Sequence, residues 1–476
     1  MKYTIEKPAQ FRAARRVLLL AAVLFVFWGC TGPDDGGETI PGRSIGTAED
    51  LAKIGVDSEY PPDGVYYLSA DIDLADYTPW MPIGPDLGSS FTGTFDGRGK
   101  TIRGLTLGEG TAPAEVFGLF GYTSMAHIKN VRVELADTGS SPIVLTSSSP
   151  QYLGAIAGKA ERTRFSGIII SGAGETVVNK AAGDVYAGGL TGDMLRSVAE
   201  NIQCAAPFTV TAAGGNAGAG GIAGKNNSGS RVRFCYVSAR VQVESGAGAY
   251  AGGIAGENSG AVQESYTTED VSALSSGGSA YAGGIAGENP GALRDSYATG
   301  NISAQSDTSH PAYAGGMAGY NKKAAAYNNM GTIQNSYAAG TVSVTDSADA
   351  YAGGIAGYND QGSIGYNAAW PADITATGAG QNAGRITGEN TGGTLAGNIA
   401  LDAITGTLKT DPSDAGTSGP FPAGSVGDKN GQPKTEANLQ QEETFSNGVT
   451  KNALGWDFTA TWQWDKTQKR PRLKWE

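Results

Sequence analysis

Residues able to do acid–base, nucleophilic or metal chemistry are few in this 476-residue chain, and they are scattered. There are two histidines, His127 and His310. No His-Glu-x-x-His occurs, so the two imidazoles that a zinc peptidase needs on one helix face are missing from this chain. Gly-x-Ser-x-Gly occurs once, as Gly42-Arg43-Ser44-Ile45-Gly46, and neither histidine lies near it in the chain. His127 precedes Ile128 at a strand start and His310 precedes Pro311 in a loop, and both read as structural or solvated. Asp71 and Asp73 alternate along one strand and point the same way, with Asp96 in a nearby turn. Such carboxylates could bind calcium or hydrolyse a sugar, yet an i, i+2 pair is ordinary in any lead-in strand. Glu257 and Glu288 recur at one repeat position and are the best metal candidates, but the calcium nonapeptide Gly-Gly-x-Gly-x-Asp is absent. The expectation is a chain without catalytic residues, metal site or cofactor.

The elements that position these residues come from a repeat. Tyr250-Ala251-Gly252-Gly253-Ile254-Ala255-Gly256-Glu257-Asn258 returns almost unchanged at 281–289. Looser copies begin at Tyr186, Tyr313 and Tyr351, others fill 220–226 and 383–390, and degenerate ones lie at 117–121 and 153–158. The position before the apolar residue falls at 118, 155, 189, 221, 253, 284, 316, 354 and 385. Steps of 31 to 38 residues mark a stacked array. One repeat, 250–277, divides into strand Tyr250–Gly256, turn 257–260, strand Ala261–Thr267 and short strand Val271–Leu274. Three strands per coil predict an all-β, right-handed parallel β-helix, or β-solenoid, of about nine Gly-rich coils. A propeller blade would need a fourth strand and a longer repeat.

Stacking explains the recurrent residue types. Asn at 226, 258, 289, 321, 359 and 390 tolerates left-handed backbone, and its amide can bond along a ladder. Ile254, Ile285, Met317 and Ile355 are predicted to form an internal apolar column, and Tyr266, Tyr297 and Tyr337 another. Cys204 lies 12 residues after Gly192 and Cys235 lies 11 after Gly224, which predicts neighbouring sulfurs in adjacent coils, either disulfide-bonded or as stacked thiols. Cys235 also takes the place of Ser265, Ser296 and Ser336.

The N-terminus carries Lys2, Lys7, Arg12, Arg15 and Arg16 ahead of the apolar run Val17–Trp28. That run is too short to span a bilayer and reads as an export signal. Phe27-Trp28-Gly29-Cys30 resembles a bacterial lipoprotein signal, with Trp28 standing where the usual pattern has a small residue. The resemblance implies cleavage after residue 29, lipidation of Cys30, a membrane attachment through that lipid, and outward sorting to the outer membrane or cell surface. The segment 31–42 reads as a flexible tether. Residues 1–29 hold five Lys/Arg and one Glu, so the rest has 29 basic and 45 acidic side chains, a net charge of −16. A chain that acidic is repelled by nucleic acid and anionic lipid.

Asp71-Ile72-Asp73-Leu74, Pro82-Ile83-Gly84 and Phe95-Asp96-Gly97, followed by Gly118-Leu119-Phe120-Gly121, resemble the GLUG-motif proteins. These are bacterial surface and secreted proteins, several adhesin-like; some IgA-cleaving zinc peptidases carry such repeats outside their catalytic domain. The resemblance spans roughly 44–400, and Gly455-Trp456-Asp457-Phe458 with Trp464 is similar to the usual terminus of such chains. It implies a binding or structural role toward a host or neighbouring-cell protein or glycan. The competing expectation is a carbohydrate-binding or carbohydrate-active β-helix acting on extracellular polysaccharide.

The expected organisation is thus a signal at 1–29, a tether at 30–42, an N-terminal cap with lead-in coils at 43–116, repeats at 117–400, and an irregular loop and cap at 401–476. Thr47-Ala48-Glu49-Asp50 predicts a capped short helix, 401–434 reads as a crossing loop, 435–445 can hold a second helix, and Trp456, Trp462, Trp464 and Trp475 predict an apolar cap or, if exposed, a sugar platform.

Overall fold

Backbone hydrogen bonds in this molecule run chiefly from one coil to the next, as expected of a solenoid. The computed structural model describes residues 42–476 apart from 78–79, 109–114, 138–142, 173–174, 181, 307–309, 325–329, 347, 410–416, 423, 426 and 447–453. The signal, Cys30 and nearly all of the tether lie outside the described residues.

The fold is an all-β solenoid of parallel, stacked sheets. One coil serves for all. Ala249–Gly252, the tyrosine strand, leads to Ala255–Asn258, the asparagine strand. Ala261–Gln263 and Tyr266–Thr267 form a flank pair, and Val271–Ser275 makes the back strand. The tyrosine and asparagine columns hold nine strands each, and the back column holds ten with an antiparallel strand at its end. The coil therefore has five short strands where the sequence predicts three. The two longer strands are each broken, at Gly253-Ile254 and at Glu264-Ser265.

The second break has a clear physical cause. Asn201, Phe234, Glu264, Asp295, Asn335 and Tyr366 stand one above another at φ between 46° and 59°, a left-handed corner in every coil. The following residue repairs the corner. The Cys235 N–H donates to Ser265 Oγ (3.1 Å), Ser265 N–H to Ser296 Oγ (3.2 Å), and Ser296 N–H to Ser336 Oγ (3.2 Å). Left-handed backbone thus falls at these corners and not at the repeated asparagines. Those asparagines do bond as a ladder: Nδ2 to Oδ1 from 226 to 258, 289, 321 and 359 at 2.7 Å each, then to 390 at 2.6 Å.

The first break is a backbone fold that only glycine fits. A Cβ on Gly284 would collide with Gly316 O in the next coil and meet Ala298 Cβ at 2.5 Å. Just past it, Ile222, Ile254, Ile285, Met317, Ile355 and Ile386 are fully buried and form the predicted apolar column. In the last coil Arg385 stands where the glycine was. Its side chain is buried across the end beneath the 422–430 segment, and Nη2 donates to Pro422 O (3.2 Å).

Both ends are covered. Arg43–Ile45 and the helix Ala48–Lys53 close the first coils, with Thr47 Oγ1 accepting from Asp50 N–H (3.2 Å). At the other end 401–434 is more regular than predicted: Thr417–Pro420 pairs antiparallel to Thr405–Lys409, and Gln432–Lys434 pairs parallel to Ile399–Leu401. Short helices Glu436–Leu439 and Glu443–Ser446 follow. The Trp-rich C-terminal segment then runs back along the flank and covers the column Tyr266, Tyr297, Tyr337. Trp475 Nε1 donates to Glu264 O (2.8 Å) and Trp456 Nε1 to Tyr366 O (2.9 Å). Trp456 and Trp462 are buried, so they offer no sugar platform.

Candidate functional site: a walled cleft on the asparagine face

The carboxylates singled out in the sequence are used structurally. Asp71 Oδ1 accepts from Thr101 N–H (2.9 Å) and Asp73 pairs with Arg103 (2.9 Å). Asp96 accepts from Arg98 N–H (2.9 Å) and pairs with Lys129 (3.3 Å). His127 Nε2 lies 3.3 Å from Ser166 Oγ, and burial with Lys129 and Arg164 nearby holds it below the usual histidine range. His310 is exposed beyond strand Ile302–Ser306, several coils from His127. Among the described residues no three or more His, Cys, Asp or Glu converge as metal ligands. Glu257 and Glu288 do stack, one coil apart, with Lys225 3.5 Å from Glu257 and Lys322 2.7 Å from Glu288.

Cys204 and Cys235 are both buried and unbridged. They do not stack as predicted: Cys204 pairs in register with Val237. Of the two-residue offset, one residue lies in the count itself, 12 against 11, and the other is an extra residue in a corner. Val198, six residues past Gly192, aligns with Arg231, seven past Gly224. Cys235 instead occupies the Ser265–Ser296 column, as its neighbours in sequence indicated.

The outward residue of the asparagine strand varies while the glycine before it stays fixed. Tyr122, Lys159, Asp193, Lys225, Glu257, Glu288, Tyr320, Tyr358 and Glu389 follow one another along the stack. The tyrosine strand supplies the adjoining column. There Tyr250, Tyr281, Tyr313 and Tyr351 stack at 4.8 to 5.1 Å, and Lys225 Nζ lies 3.8 Å from the Tyr186 ring centre. Rings stacked this closely show their edges outward and keep their faces for one another.

The N-terminal end of this face is a cleft of about 580 Å³. Its floor is Tyr122, Ser124, Lys159, Glu161, Asp193 and Leu195, from three successive strands. The turn Leu87–Ser89, capped by Asp86 Oδ1 accepting from Ser89 N–H (2.9 Å), walls one side, and Glu115 lies at the other. Glu115 accepts from Lys159 Nζ and from Tyr122 OH, both at 2.9 Å. Burial pulls the Glu115 carboxyl upward, but Lys159 and Tyr122 outweigh it and hold the group below its ordinary range. Burial pushes Asp193 the other way, above the usual carboxylate range, against Lys159 and the Asn227 amide. Sequence reasoning missed Glu115, Lys159 and Asp193 as a group. A signal for Lys159 and Asp193 was present in the residue between Gly and the Asn position, which alternates in charge from 159 to 257; Glu115 lies outside that column.

No family model matches the chain, and no curated protein does. Among solved structures, a Bacteroides ovatus protein described as a candidate immunoglobulin A1 protease aligns over 91% of this chain and 93% of its own, at 17% identity and a TM-score of 0.35. A likeness that low carries no argument about activity.

Proposed function

We propose that this chain is an exported, lipid-anchored β-solenoid that works at the cell surface as an adhesin-like binding protein, without catalysis. The observation that supports it best is the asparagine face, where one outward position varies from coil to coil beside a constant glycine on a regular stack, the pattern by which solenoids present extended binding surfaces. The candidate carboxylates Asp71, Asp73 and Asp96 are each tied to a backbone amide or a cation, which fits a structural role. The partner would be a host or neighbouring-cell protein or glycan, and the net negative charge argues against nucleic acid. Cys30 would carry the lipid. Fractionating cells that express Cys30→Ser tests the anchor: the protein should leave the membrane fraction, and unchanged retention would overturn that part. Binding of the released protein to target cells tests the rest.

A second reading, a carbohydrate-binding or carbohydrate-active protein, draws support from the walled cleft. There two carboxylates, Glu115 and Asp193, are pushed in opposite directions by their surroundings.

A further inference from the structure

We infer that the walled cleft is a binding site for a neutral or amino-sugar oligosaccharide, with Glu115, Lys159 and Asp193 hydrogen-bonding the sugar and Leu87, Leu195 and the edge of Tyr122 taking its apolar ring surface. The inference rests on the surface-binding reading above and names the ligand class and the place.

Along most of its length the asparagine face is open along the stack. At its N-terminal end the Leu87–Ser89 turn stands across it and creates a volume of about 580 Å³, within the usual range of roughly 300–1,000 Å³ for ligand sites. Two large apolar side chains are left at its margin: Leu87 is 68% exposed and Leu195 36%. Between them sits a polar group already held in place. Lys159 Nζ bonds Glu115 and lies 4.1 Å from the centre of the Tyr152 ring, and its remaining N–H groups can donate outward. Glu115 and Asp193 keep lone pairs beyond their bonds to Lys159, Tyr122 and Asn227. Donors and acceptors side by side, next to apolar carbon, match the alternating hydroxyls and C–H faces of a pyranose.

The same features disfavour other ligands. The floor strands are hydrogen-bonded on both sides, the first of them on its outer edge by Ile83, Gly84 and Phe91, so no free strand edge is offered to an extended peptide. Asp86, Glu115, Glu161 and Asp193 outnumber Lys159 around the cleft, which repels phosphate, sulfate and uronate. An amino sugar is favoured by that excess, and a neutral sugar is indifferent to it.

The test uses the full chain on an array of neutral, amino-sugar and uronic-acid oligosaccharides. Calorimetry then follows with the best binder and with Leu195→Arg, Asp193→Asn and, as a distant control on the same face, Glu389→Gln. Leu195 is at the rim, so Leu195→Arg should keep the wild-type urea midpoint. The expected result is binding of neutral or amino sugars, weakened about tenfold or more by Leu195→Arg and Asp193→Asn and unchanged by Glu389→Gln. Undiminished binding in Leu195→Arg would overturn the inference, as would an array with no binder or with uronic acids alone. Adhesion to cells is measured in parallel. Wild-type adhesion to cells with no sugar binder on the array removes the glycan site and leaves the surface-binding reading standing, whereas absence of wild-type adhesion removes that reading.

Discussion

At the residue scale, the asparagine ladder shows how a repeated polar side chain can be buried with its amides paired, except at its first rung, where Asn226 Oδ1 has no partner. Asn226, Asn258, Asn289, Asn321 and Asn359 are fully buried, and each amide donates to the carbonyl of the next coil. Buried amides are costly only when left unpaired, at about 1–3 kcal/mol each. Asn289→Ala orphans Asn321 Oδ1 and leaves Asn258 Nδ2 with only a long bond to Ala292 O (3.5 Å), and should cost about 2–4 kcal/mol. Asn390→Ala removes the terminal acceptor and a donor to Gly393 O (3.1 Å), but Asn359 Nδ2 keeps Gly362 O at 3.2 Å, so the loss should be smaller, about 1 kcal/mol. Urea midpoints of the two variants test this, and equal losses would show that the ladder does not act as a chain. The ladder was legible in the sequence because identical residues at a fixed period can meet only by stacking. The pairing of Cys204 with Val237 was not legible, because one inserted residue at a corner changes the register without changing the motif on either side. The cleft was obscured for a related reason: Glu115 precedes its strand, the Asp86 turn comes from an earlier coil, and neither repeats.

At the element scale, strand length is set by corners, and corners are set by backbone conformations that most side chains resist. The flank corner uses Glu264, Asp295 and Asn335, whose types give little warning of left-handed backbone apart from Asn and Asp. The corner before the flank pair holds Met125, Arg162 and Arg196 at φ 53°, 48° and 50°, with Gly229 and Gly392 in other coils. A non-Gly residue there costs about 1–2 kcal/mol relative to its right-handed alternative. Arg196 is mostly exposed, and its ion pair with Glu161 is long, at 3.9 Å, so little is lost with its side chain. Arg196→Gly should therefore raise the urea midpoint, by up to about 1 kcal/mol in stability, and Arg196→Val should lower it by at least about 1 kcal/mol. The reverse order would mean that the corner is held by side-chain contacts and not by backbone preference. The sequence conveyed that coils exist and how long they are; it did not convey five strands per coil, because the breaks fall inside runs whose composition still reads as strand.

At the scale of the whole molecule, many tyrosines and both described cysteines are protonated groups under the coil surface. Burial pushes Tyr152 up to about 12 from 10.0, and Cys204 and Cys235 up to about 12 from 9.0. Burial likewise raises Tyr297 and Tyr337. A raised folded pKa means that the folded state holds its proton more tightly. The associated stability is complete below the unfolded values near 9 and 10 and is lost as pH climbs from there toward 12. The urea midpoint should be flat through neutral pH and fall steeply above about 10, with tyrosinate absorbance rising together with unfolding; absorbance that rises well before unfolding would show the rings to be accessible. The C-terminal strap adds a second whole-molecule property. A solenoid is close to one-dimensional, each coil touching only its neighbours, so opening can be local. Here Trp475 packs against Phe234 and Tyr266, Trp462 against Tyr297 and Tyr337, and Trp456 bonds Tyr366 O, so one segment ties five successive coils. Tyr337 OH donates to Pro471 O (2.9 Å) and Tyr297 OH to Glu476 (3.1 Å), fixing the strap's own hairpin, Trp462–Asp465 with Arg470–Leu473, on the column. Trp462 is fully buried at the centre, and Trp462→Ala should cost about 3–5 kcal/mol of strap docking. The coils beneath keep their ladders, so the loss should appear as decoupling and not as collapse. Limited proteolysis should trim the variant's C-terminus while leaving a resistant repeat core, and its urea transition should broaden as the coils lose their common tie. A single sharp transition at lower urea, with no resistant core, would mean instead that the strap is part of the one cooperative unit and that the stack cannot stand without it.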